Sequence, residues 1–73
     1  MDQHKKNSIA YLRKKAESDL LKAKVSLGLL LDVPVGIGDH STGDFHSNLD
    51  EALDLLVDAN DRIETLEKYY PDV

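Results

Sequence analysis

The stretch FHSNLDEALDLLVDANDRIETLEKYY, residues 45–70, places apolar side chains at Phe45, Leu49, Ala52, Leu56, Ala59, Ile63, Leu66 and Tyr70. The steps between them alternate four and three without a slip. An α-helix turns once in about 3.6 residues, so this spacing lays all eight on one stripe, a heptad seam of the coiled-coil kind. Pro71 cannot continue a helix and closes the stretch. Upstream, Ser41 has the chemistry of an N-cap and Asp44 follows three residues later, the acidic form of a capping box. Asn48 with Glu51 offers a later start, but Phe45 already belongs to the seam, so the earlier start is preferred. The pattern predicts a helix over about 42–70.

Working back from that helix, a second period appears. Ile9, Leu12, Ala16, Leu20, Ala23, Leu27 and Leu30 follow one another at steps of 3, 4, 4, 3, 4 and 3. No glycine interrupts before Gly28, and Val33 is pushed out of helical geometry by Pro34. A first helix is predicted over about 6–31. The residues between, about 32–41, read Asp32-Val-Pro-Val-Gly-Ile-Gly-Asp-His40. Pro34 fixes a direction there, and Gly36 and Gly38 permit positive φ. Two helices of roughly 40 Å each, at about 1.5 Å per residue, joined by a short turn, make an all-α fold. The expected architecture is one antiparallel two-helix hairpin over residues 1–73.

A chain of 73 residues has too much surface for its volume to enclose a large core. It contains no cysteine, which excludes disulfides and thiolate metal sites and leaves oligomerisation as the remaining remedy. Leu21, Val25, Leu29, Leu53 and Val57 widen the apolar stripe beyond what one hairpin can hide. A four-helix bundle or larger helical oligomer accounts for them, with a dimer of hairpins the simplest form. The same stripe is alternatively a surface that docks on a larger protein. Ala16, Ala23, Ala52 and Ala59 are small enough to let two backbones approach closely.

The net charge of −5 divides unevenly. Residues 1–24 carry seven of the nine basic groups and three acids, whereas residues 25–73 carry two basic groups and eleven acids. Halves of opposite sign attract when folded side by side, although each exposed pair contributes under about 1 kcal/mol. The opening MDQHKKNS lacks the apolar core of a secretory signal, and the run Leu29 to Leu31 is far short of a membrane span. The expected location is intracellular, with no membrane insertion.

The apolar Val33, Val35 and Ile37 are unusual in a surface turn, and with Asp39 and His40 they form a candidate partner-binding loop. The other reading folds them back as a lid on the open end of a bundle. The segment Pro34-Val-Gly-Ile-Gly-Asp-His40, followed by Asp50-Glu-Ala-Leu53 and Asp61-Arg-Ile-Glu-Thr-Leu-Glu-Lys-Tyr-Tyr70, resembles a family of very small helical proteins of tailed bacteriophages. These occur notably in myoviruses of marine cyanobacteria and carry a PVG(I/V)GDH turn motif. The resemblance covers the turn and second helix, and the first helix only in pattern. It implies an accessory or structural phage protein working in the cytoplasm of an infected host cell, and it supplies no catalytic residue to carry over.

Gly36-Ile-Gly38 is not a phosphate loop: no strand precedes it, Ser41 stands where a dinucleotide motif has its third glycine, and no Gly-Lys-Ser/Thr follows. Asp39, His40, Asp44 and His46, with Asp50 one turn beyond His46, contain metal-ligand types. Asp44 is accounted for as a first-turn acid and Asp39 as a turn residue, so neither metal nor cofactor is expected. Asp50, Asp54 and Asp58 form an acidic row ending at Arg62, thickened by Asp61, Glu64 and Glu67. A solvated face explains that row, relieved by Asp58–Arg62 and Glu64–Lys68 pairs; mimicry of nucleic-acid phosphate is its specific use. Lys5, Lys6, Arg13, Lys14, Lys15, Lys22 and Lys24 make the first helix basic, but only Tyr11 lies among them for base stacking. Arg13 to Lys15 are expected to lie beside Glu64 to Lys68 of the second helix.

No nucleophile with a base stands at a recognisable spacing, so catalysis is not expected. The function expected is that of a non-enzymatic accessory or structural protein acting through helix-mediated self-association and binding of a phage or host protein. The alternatives are a nucleic-acid-associated regulator using the basic first helix, and an inhibitor of a host protein using the acidic face. The seam expected to form the core and oligomer contacts is Ile9, Leu12, Leu20, Leu27, Leu30, Phe45, Leu49, Leu56, Ile63, Leu66 and Tyr70.

Overall fold

The computed structural model describes residues 2–32 and 41–72. Two helices account for nearly all of them: α1, Asp2–Asp32, and α2, Ser41–Tyr69. The helices pack along each other in opposite directions. Arg13 meets Tyr70, Asp19 meets Arg62, and Ala23 and Leu30 share a groove with Asn48 and Ala52. Numbers rise along one helix as they fall along the other, which is the antiparallel hairpin the two periods predict.

α1 starts four residues before the predicted position near residue 6. Its opening turns are held locally. Asp2 places a carboxylate in the first turn, where the helix dipole favours negative charge. Gln3 Nε2 donates to Asn7 Oδ1 and Ser8 Oγ donates to the His4 carbonyl, each at 2.8 Å. These polar contacts between residues four apart carry no apolar signature, so the period beginning at Ile9 does not reveal them. α1 runs through Gly28 and stops at Asp32, shortly before Pro34. α2 begins at Ser41, the earlier of the two candidate starts, and ends at Tyr69, one residue short of the predicted 70. Tyr70 still donates its amide to the Leu66 carbonyl at 2.8 Å, but it precedes Pro71 and leaves helical geometry.

The core is a narrow seam. Ala16, Ala23 and Ala59 are wholly buried, with Ala52, Ile9 and Leu66 nearly so. On each helix these positions recur every seven residues: 9, 16 and 23 on α1; 52, 59 and 66 on α2. Methyl groups at the centre of the contact allow the two axes to come close, while Ile9 and Leu66 fill the end away from the turn. No large side chain is fully buried among the described residues. Since burial stabilises roughly in proportion to the apolar area removed from water, at about 25 cal/mol per Å², an alanine seam contributes little by itself. The hairpin is therefore dependent on what its larger side chains do.

Two seam assignments need correction. Leu12 is 47% exposed and does not join the buried positions. The reason lies in the two consecutive steps of four around Ala16. Leu12 stands three residues after Ile9, whereas Leu20 and Leu27 stand four after Ala16 and Ala23. A step of three and a step of four lead to opposite sides of the same helical stripe, so Leu12 falls on the opposite flank from Leu20 and Leu27. Tyr70 is also not enclosed: it is exposed, with Lys5 Nζ 5.7 Å from the ring centroid.

Candidate interaction surface

The two flanks of the seam have different chemistry. Residues three after a seam position are Leu12, Asp19 and Ser26 on α1, with Asn48, Leu55, Arg62 and Tyr69 on α2. They lie on one side of the hairpin, which the Asp19–Arg62 contact demonstrates directly. Residues four after a seam position are Arg13, Leu20 and Leu27 on α1, with Leu49, Leu56 and Ile63 on α2. They lie on the other side, where Leu20 and Leu56 line a common groove. One flank is mixed and largely polar, the other mainly aliphatic.

The polar flank is organised around Asp19. Its carboxylate accepts Lys15 Nζ at 2.9 Å from its own helix and Arg62 Nη2 at 2.9 Å from α2. Arg62 also reaches Asp58 at 3.1 Å. The Asp19 side chain is only 14% exposed, so this bridge sits against the seam rather than in open water. Hydrogen bonds from Lys15 and then Arg62 hold the Asp19 carboxyl below the ordinary carboxylate range, and Asp19 holds the Arg62 guanidinium above its ordinary value. The sequence pattern places Arg13 to Lys15 beside Glu64 to Lys68 and does not include this interhelical bridge. Its signal was present, since Asp19 and Arg62 each stand three residues after a buried alanine. The Asp58–Arg62 pair forms as expected. Glu64 instead accepts Asn60 Nδ2 at 3.0 Å, and Lys68 lies over the Tyr69 ring at 5.4 Å. Arg13 donates to the Tyr70 carbonyl at 3.5 Å, a long contact that with Lys5 ties the start of α1 to the end of α2.

The aliphatic flank remains open. Leu20, Leu27, Leu49, Leu56 and Ile63 are half-buried along it. Its outer edges carry Leu21 and Leu31 on α1 and Leu53 and Val57 on α2, all exposed; Leu53 is 50% and Val57 51% accessible. Leu20, Lys24, Leu56, Val57 and Asn60 enclose a groove of about 340 Å³ there. Val25 and Leu29, also exposed, lie outside this flank, Leu29 lining a groove on the polar side.

The remaining candidates are placed as follows. Val33, Val35, Ile37, Asp39 and His40 lie outside the described residues, so the roles of lid and partner-binding loop fall there too. His46 is exposed with its ring 5.9 Å from that of Phe45, and Asp50 and Asp54 are exposed on the outer side of α2. Among the described residues no three His, Cys, Asp or Glu side chains come together as a metal site would need. No helix is long and apolar enough to cross a membrane. Comparison with family models, curated proteins and solved structures returns no match.

Proposed function

We propose that the protein is a non-enzymatic interaction module of the phage accessory or structural type, acting through self-association of its helical hairpin and through binding to a phage or host protein. The open aliphatic flank carries this reading. A hairpin whose centre is alanine places its large side chains at the edge of its own core. Leu20, Leu27, Leu49, Leu56 and Ile63 are half-covered by the neighbouring helix, and Leu53 and Val57 extend the same surface outward. Contiguous exposed apolar surface of this kind marks an interaction site on a soluble chain. Completion of a four-helix bundle is the packing that such a stripe favours.

The acidic outer side of α2 and the basic residues of α1 support weaker readings, because both are partly engaged within the hairpin. Lys15 is spent on Asp19, Lys5 on Tyr70, and Asp58 on Arg62. The resemblance of the turn and α2 to small phage proteins supports a role in the cytoplasm of an infected cell. The test is a single substitution on the flank. Val57→Glu adds a charge to an exposed site and leaves the alanine seam intact. The expected outcome is retained helicity by circular dichroism and loss of the oligomer by light scattering after size exclusion. An oligomer unaffected by Val57→Glu would remove the aliphatic flank from the account.

A further inference from the structure

The self-association proposed above leaves open how two hairpins face each other, and the distribution of charge around the aliphatic flank selects one arrangement. Two copies packed flank to flank can be related by a two-fold axis along the hairpin or across it. With the axis along the hairpin, both turns lie at one end, and α1 of each copy covers α2 of the other. With the axis across it, the turns lie at opposite ends, α1 covers α1 and α2 covers α2.

The two helices differ in sign on this side. At the rim of the flank α1 presents Lys14, Glu17 and Lys24, two basic groups to one acid, and α2 presents Asp50, Glu64 and Glu67, all acidic. Over its whole length α1 has seven basic groups against four acids, and α2 two against eight. The apolar side chains are uneven as well. Leu20, Leu21, Leu27, Leu31, Leu49, Leu53, Leu56 and Val57 all belong to the half nearer the turn, whereas the other half carries Arg13, Lys14, Ile63, Glu64 and Glu67. Turns at opposite ends would set lysines against lysines and carboxylates against carboxylates. They would also lay the leucine-rich half of each copy on the charged half of the other. Turns at the same end join leucine-rich half to leucine-rich half and bring Lys14 and Lys24 alongside Glu64 and Asp50 of the second copy. Like charges placed face to face disfavour an arrangement by enough to decide between two otherwise similar packings.

We infer that the aliphatic flank is covered by a second copy of this chain in a dimer with both turns at the same end, α1 of each copy packed on α2 of the other. The arrangement rests on the self-association reading, and one experiment separates the two. The chain has no cysteine, so Asp72→Cys, an exposed position beyond the end of α2, accepts a single spin label. The labelled protein is weighed by ultracentrifugation and its interchain distance read by pulsed electron spin resonance. In the inferred dimer the two labels share one end of a bundle whose helices are about 8–10 Å apart, giving a distance below about 30 Å. With turns at opposite ends the labels are separated by most of a helix length, above about 40 Å at about 1.5 Å per residue. A dimer with the long distance would overturn the arrangement and leave self-association standing. A monomer at the concentration of measurement would overturn both.

Discussion

Ala16, Ala23 and Ala59 expose no surface at all, yet each removes little apolar area from water because each offers only a methyl group. Their role is one of distance: they let α1 and α2 close on each other, and this pushes the leucines onto the flanks. Gly28 works against the helix it occupies. It lies in the interior of α1, where glycine loses more backbone entropy on folding than alanine does, and a β-carbon added there would meet no atom within 4 Å. Gly28→Ala is therefore expected to raise the stability of the hairpin by about 0.5–1 kcal/mol in urea denaturation, the ordinary difference between the two residues inside a helix. A loss of stability on this change would mean that the space beside Gly28 is filled in solution, which a second copy approaching α1 closely would do.

At the scale of the helices, α2 was more legible than α1. Its steps alternate four and three from Phe45 to Tyr70, and that regularity reads directly as a seam. α1 contains a slip at Ala16, and a list of apolar positions cannot say on which side of the slip the partner helix lies. The period alone puts Leu12 on the seam, whereas it stands on one flank. The start of α1 was hidden because Asp2, Gln3, His4, Asn7 and Ser8 stabilise it with charge and hydrogen bonds instead of apolar burial. The Asp19–Arg62 bridge needs the register between helices, which neither period contains alone; once the alanines are opposed, both residues fall on one flank. That bridge has a pH consequence. The Asp19 carboxyl is held below its unfolded value by Lys15 and Arg62. Its contribution is therefore present above the unfolded carboxylate pKa of about 3.9 and is lost as pH falls through the lower folded value. Asp19→Asn should melt below the parent chain at pH 7, and the gap should narrow as the pH drops below about 4. A gap that stayed constant down to the lowest accessible pH would show that the carboxylate charge is not what Asp19 contributes.

The whole molecule has two unlike sides around a thin core. On one, Asp19, Arg62 and Lys15 interlock across or along the helices and meet water. On the other, leucines from both helices converge and find no further layer among the described residues. A domain of this size is expected to be marginal by itself, and the wide aliphatic flank is the surface on which additional burial is available. The functional reading depends on that flank more than on any titratable group. Sedimentation equilibrium of the unmodified chain over micromolar concentrations tests it most directly. The account predicts a species of at least twice the chain mass of 8.2 kDa, dissociating only on dilution. A fully helical, cooperatively folded species of 8.2 kDa throughout that range would contradict it.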